Sequence, residues 1–189
     1  SEKDKAYRIN AEAVALLADE AKQLNAWLIH YSTDYVFDGT KSNAYLETDE
    51  TNPQSVYGKT KLQGEEAIKV SECNHLIFRT SWIFAARGAN FVKTMIRLAR
   101  VQKELKVVSD QIGVPTSAEL IADLTALCLY RIYQKKNTAP NLTGIYHLTP
   151  TGETSWHGFA QFIIAEAFGL GVKFRASSEN VLPIRTSEY

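Results

Sequence analysis

Trp27-Leu28-Ile29-His30-Tyr31-Ser32 is a short apolar run of strand length, and it follows a helical pattern with almost no connection between the two. From Asp4 to about Leu24 the residues Tyr7, Ala11, Val14, Leu17, Ala18, Ala21 and Leu24 recur at helical spacing with polar residues between them, which predicts an amphipathic helix. A helix passing straight into such a run is the beat of an α/β sheet. The beat repeats downstream. The spacing predicts a helix from about Ser55 to Val70 and a strand over Leu76–Thr80, then a helix from about Asn90 to Arg100 and a strand over Leu105–Val108. A helix from about Ser117 to Tyr133, a strand over Ile145–Leu148 and a last helix capped by Ser155 and running to about Phe168 complete the series. The expected fold class is α/β, with a doubly wound parallel sheet.

Two segments interrupt the beat. Residues Asp38 to Pro53 form a long polar loop between a strand and its helix, on the side of a parallel sheet where ligands bind. In Ser109–Thr116, Gly113 and Pro115 argue against regular structure.

Composition narrows the function. The 189 residues are 45% hydrophobic, 11% aromatic and 22% charged, enough to fill a sizeable core. Lysine plus arginine equals aspartate plus glutamate at 21 each, so no net field recruits nucleic acid or an anionic membrane, and neither is an expected partner. Cys73 and Cys128 lack the spacing of a metal site and fit free thiols in a reducing compartment. No run approaches the length of a membrane span, and the charged start Ser1-Glu2-Lys3-Asp4-Lys5 has no signal-peptide core, so the expected location is the cytoplasm.

The chemistry-bearing residues cluster at strand ends and on one helix. Tyr57 and Lys61 are four apart and share a helix face, where an ammonium lowers the pKa of a nearby phenol that is to deliver a proton near neutral pH. The bland alternative is a tyrosine snorkelling beside a solvated lysine. Gly58 and Gly64 each cost that helix roughly 1 kcal/mol against alanine, which makes sense if something packs closely on it. Ser32 and Thr33 end the first strand, so a hydroxyl there can donate to a carbonyl and stabilise the oxyanion formed by hydride addition; equally, they or Asp34 can satisfy turn amides. Arg79-Thr80-Ser81-Trp82 ends the next strand, where Trp82 is either a wall for a flat or sugar ring or a core aromatic closing the sheet. Trp156 suits a helix start better than a ligand contact. His30, His75, His147 and His157 have no metal-ligand spacing. Glu119 is most simply a first-turn acid.

Together Ser32-Thr33-Asp34-Tyr35-Val36-Phe37-Asp38-Gly39, Tyr57-Gly58-Lys59-Thr60-Lys61, Phe78-Arg79-Thr80-Ser81-Trp82 and Asp110-Gln111-Ile112-Gly113-Val114-Pro115-Thr116 resemble the dTDP-4-dehydrorhamnose reductases of the extended short-chain dehydrogenase/reductase group. The resemblance runs from about Asn10 to the C-terminus. It implies a Rossmann-like enzyme that reduces the 4-keto group of dTDP-4-dehydro-L-rhamnose with NADPH or NADH, giving a nucleotide sugar for surface polysaccharide. It implies Tyr57 as proton donor, Lys61 as its partner and a ribose contact, and Thr33 as the hydroxyl polarising the carbonyl. Tyr57, Lys61 and Ser32 are the expected cofactor contacts; Thr33, Asp34 and Trp82 are the expected substrate contacts. A Mg2+ at a homodimer interface is implied at Glu119. The resemblance further implies that the amino-terminal cofactor-binding half, with its glycine-rich turn, and a C-terminal segment lie outside this sequence. The expected division is residues 1–108 as the catalytic part of an incomplete Rossmann-like domain and 109–189 as a mixed segment with part of a smaller substrate domain. Two other functions fit less well: a non-catalytic regulatory relative such as a methionine adenosyltransferase β subunit, and another nucleotide-sugar reductase or epimerase.

Overall fold

The structure, a computed structural model, describes residues 1–134 and 142–189. In chain order its elements are helix α1 (Glu2–Tyr7), a π-helical turn (Arg8–Glu12), α2 (Ala13–Gln23), strand β1 (Trp27–Thr33), α3 (Val56–Ser71) and β2 (Asn74–Thr80). There follow β3 (Ile83–Phe84), α4 (Phe91–Val101), β4 (Leu105–Val108), β5 (Ile112–Gly113), β6 (Thr116–Ser117) and α5 (Ala118–Gln134). The last elements are β7 (Gly144–His147), β8 (Thr154–Ser155), α6 (Trp156–Gly169) and β9 (Val181–Ile184). Two compact units result, and they alternate along the chain: Ser1–Thr80 with Thr125–Leu148, and Ser81–Leu124 with Thr149–Tyr189. Among the described residues no helix is long and apolar enough to cross a membrane.

In the first unit β1, β2 and β7 form a parallel sheet in the order β1-β2-β7, with Trp27 opposite Asn74, Thr33 opposite Thr80 and Arg79 opposite His147. The central strand is buried from His75 to Thr80, which is why its sequence reads as an apolar run and not as an alternation. Val14, Ala18 and Ala21 of α2 meet Ile68 of α3, Cys73 and Ile77 in the core. Ile68 and Ile77 are fully buried, each worth about 1.5–3 kcal/mol by removal from water. Cys73 and Cys128 are free thiols.

Helix α3 begins where Ser55 Oγ accepts the Gly58 amide at 3.0 Å and ends at Glu72, whose φ of 56° closes it in the left-handed region. Its two glycines are contact points for backbone. A Cβ on Gly58 would meet the Tyr35 carbonyl oxygen at 2.1 Å, and one on Gly64 would meet the Asn10 carbonyl oxygen at 2.3 Å. Asn10 lies in the π-helical turn, so the single helix expected from the sequence is widened where it touches α3, and Asn10 Nδ2 also donates to Thr60 Oγ1 at 3.1 Å. Gly64→Ala is therefore expected to destabilise the protein by about 1–3 kcal/mol in urea unfolding, despite alanine's better helix propensity. An unchanged or higher midpoint would refute this close approach.

The second unit has its own core, with Met95 and Ala99 of α4, Leu105 and Val107 of β4, and Phe159, Ala160, Ile163 and Ile164 of α6. Asn90 and Ser155 cap α4 and α6 by accepting the Lys93 and Gly158 amides. Two expectations need correction here. Leu105–Val108 does not extend the main sheet; it pairs in parallel with β9, a strand that the sequence hides behind Pro183. Ser109–Thr116 is not wholly irregular, since β5 pairs antiparallel with β8 and β6 parallel with β3. Two-residue bridges are too short to carry a period, and Gly113 serves one of them because the Trp82 indole lies on it, 2.5 Å from where a Cβ would stand.

Candidate active site

Thr33 closes β1, buried at 5% exposure, and its Oγ1 does two jobs. It donates to Asp34 Oδ1 at 3.0 Å and accepts the Tyr35 amide at 3.2 Å, capping the short 3-10 turn Asp34–Val36. Tyr57, in the first turn of α3, brings its hydroxyl to the same place. Burial raises the phenol's pKa, a hydrogen bond with the Thr33 side chain pulls it back, and the Asp34 carboxylate pushes it up again. The Tyr57 side chain is still half exposed, with its ring edge-on to Tyr35 at 6.1 Å. Asp34 is itself held above the usual carboxylate range by burial, against the hydrogen bonds from Thr33 and the backbone. The structure thus brings Thr33, Asp34 and Tyr57 together.

Lys61 lies one turn further along α3 but is turned toward the strand. Its Nζ donates to the Tyr31 carbonyl at 2.6 Å and sits 3.3 Å from His30 Nε2. Burial lowers the lysine's pKa while Glu65 raises it, and Lys61 is not among the groups acting on Tyr57. The expected ammonium-driven drop in the phenol's pKa is therefore absent in this state: burial wins, and the pKa is raised.

Ser32 faces the interior. Its Oγ donates to Glu65 Oε1, and Glu65 is fully buried in a bidentate pair with Arg79, Nε to Oε1 at 3.1 Å and Nη2 to Oε2 at 2.7 Å. Arg79 continues to the Glu47 carbonyl at 3.3 Å and lies over the Phe37 ring, while Glu47 Oε1 accepts the His147 amide at 2.9 Å. This network ties α3, the ends of β1 and β2, and the loop after β1 into one piece. The loop is stapled further by Asp38, whose carboxylate accepts from the Thr40 amide and hydroxyl, the Tyr45 hydroxyl and Asn52, and so stays ionised well below the usual range. Sequence reasoning missed the Glu65–Arg79 pair. The signal was there: an arginine inside the apolar strand Leu76-Ile77-Phe78-Arg79 has to find a carboxylate.

Trp82 and Glu119 belong to the second unit. Trp82 holds a backbone φ of 45°, costly for a bulky residue, and its ring stacks on Trp156 with centroids 3.5 Å apart and planes at 12°. Trp156 is the first residue of α6, as the helix-start reading expected, and also packs on Phe91. Glu119 is exposed in the first turn of α5.

The RmlD substrate binding domain family matches residues 1–189. The chain is 46% identical over 181 residues to a dTDP-4-dehydrorhamnose reductase of Burkholderia thailandensis, covering 96% of this chain and 61% of that protein. It is 46% identical over 183 residues to the enzyme of the same name from Escherichia coli K12, covering 97% and 60%. Among solved structures, a dTDP-4-dehydrorhamnose reductase from Bacillus anthracis in complex with NADP superposes with a TM-score of 0.83 at 37% identity, over 100% of this chain and 62% of that one. An orthologue from Clostridium acetobutylicum gives 0.82 at 42%, over 100% and 61%. The chain thus spans about three fifths of the length of the relatives it matches.

Proposed function

The chain belongs to the RmlD substrate binding domain family, and from that premise we propose that the whole protein reduces the 4-keto group of a dTDP-4-dehydro-6-deoxy sugar, dTDP-4-dehydro-L-rhamnose, to the alcohol with a reduced nicotinamide cofactor, in the cytoplasm. The observation that carries the reading is the meeting of the Tyr57 and Thr33 hydroxyls beside Asp34 at the carboxyl edge of the sheet. A carbonyl oxygen set between them would accept a hydrogen bond from each, the Thr33 hydroxyl turning to it from Asp34 Oδ1. When bound, the nicotinamide supplies the hydride. As charge builds on the oxygen, Thr33 stabilises it and Tyr57 gives up its proton, for which a pKa raised by burial keeps the phenol protonated until the oxyanion forms. Asp34, which accepts the Thr33 proton in the absence of substrate, is our candidate for a sugar contact. The resemblance makes Trp82 a second candidate, although its indole already stacks on Trp156.

The residues present fit a nicotinamide cofactor in one respect, a half-exposed Tyr57 on a helix that also carries Lys61. The same resemblance extends the proposal to Lys61 and Ser32 as cofactor contacts, although Ser32 Oγ already has Glu65 as its partner. It also extends to a homodimer and to Mg2+ at Glu119, where among the described residues no group of three or more His, Cys, Asp or Glu gathers. The relatives lend no support to the regulatory alternative. The test is direct: the whole protein, given dTDP-4-dehydro-L-rhamnose and NADPH or NADH, is expected to oxidise the cofactor and yield dTDP-L-rhamnose. No turnover with either cofactor would overturn the reading.

A further inference from the structure

The seat of Lys61 is built by two consecutive residues of β1. Its Nζ donates to the Tyr31 carbonyl at 2.6 Å and faces His30 Nε2 at 3.3 Å. An ammonium offers only protons, so a ring nitrogen facing it serves as an acceptor. His30 therefore presents a bare Nε2 and carries its proton on Nδ1.

We infer that His30 is a positioning residue: its neutral imidazole, accepting through Nε2, works with the Tyr31 carbonyl to fix the direction of the Lys61 ammonium on the helix that carries Tyr57. The inference rests on the role proposed above for Lys61. Lysine is a flexible stem with a point charge at its tip, and two acceptors at a fixed angle remove much of that freedom before any ligand arrives. The backbone carbonyl alone cannot do this, since a single acceptor leaves the ammonium free to pivot. Burial first, and the Lys61 charge second, pull the His30 pKa down to about 4, so the ring stays an acceptor throughout the neutral range.

Two measurements decide it. On this chain, 15N NMR of the His30 ring should show the Nδ1–H tautomer at neutral pH, and the Nε2–H tautomer or an imidazolium there would overturn the seat. In the whole protein, His30→Phe should lower kcat/KM by about tenfold, mainly through KM for the nicotinamide cofactor, with little change in melting temperature. His30→Gln, whose amide oxygen can accept, should recover most of that loss. Equal impairment of both variants, or none, would overturn the inference. A wild-type protein without reductase activity would defeat the proposed function instead, and the tautomer alone would then decide the seat.

Discussion

Tyr57→Phe lowers kcat of the whole protein by about a hundredfold or more, with little change in KM. The substitution removes one oxygen. The ring keeps its edge-on contact with Tyr35, and Ser55 still caps α3 through the Gly58 amide, so fold and ligand access should be untouched. What disappears is the proton that must reach the carbonyl oxygen as hydride arrives, together with one of two hydroxyls facing that oxygen. A loss confined to kcat marks an interaction made in the transition state; a rise in KM alone would make Tyr57 a binding group, and full activity would remove it from the mechanism. Steady-state kinetics followed by nicotinamide absorbance separate the three.

The second large effect is on stability. Arg79→Met leaves Glu65, fully buried, with the Ser32 hydroxyl as its remaining side-chain partner, and this should cost about 3–5 kcal/mol in urea unfolding. Most of that cost is the stranded carboxylate and not the lost attraction. The double variant Arg79→Met/Glu65→Met should therefore regain most of the stability, since a packed apolar pair replaces a buried ionic one. A single-variant loss below about 1 kcal/mol, or no recovery in the double variant, would show that the pair is not the joint described here.

Much of the first unit was legible because its elements are long and their periods clear. The strand Trp27–Ser32, the helix after Ser55 and the strand Leu76–Thr80 all stand within a few residues of where the pattern puts them. The glycines of α3 announced a close contact without saying with what, and the answer is two carbonyl oxygens from separate parts of the chain. The second unit was harder. Periodicity says that a segment is a strand but not which strand it joins, so Leu105–Val108 read as one more member of the sheet although its partner is Val181–Ile184. The candidate site was half visible. Spacing put Tyr57 and Lys61 on one helix face, but where a lysine tip points depends on acceptors in another element, and here these are His30 and Tyr31. Ser32 and Thr33 are adjacent hydroxyls that sequence treats alike; strand pleating sends one to Glu65 and leaves the other beside Tyr57.

The alternation of the two units along the chain has a consequence for synthesis on the ribosome. Residues 1–80 carry β1, β2 and α3, so the pairing of the first two strands and the Glu65–Arg79 contact become available early. The third strand, β7, emerges only after all of Ser81–Leu124 has been translated, and the bond from the His147 amide to Glu47 spans 100 residues. Until then β2, the most buried strand of the sheet, keeps one edge open in the nascent chain while the first part of the second unit is made. The long-range closing of β7 onto β2 is thus expected to be slow beside the early pairing of β1 with β2.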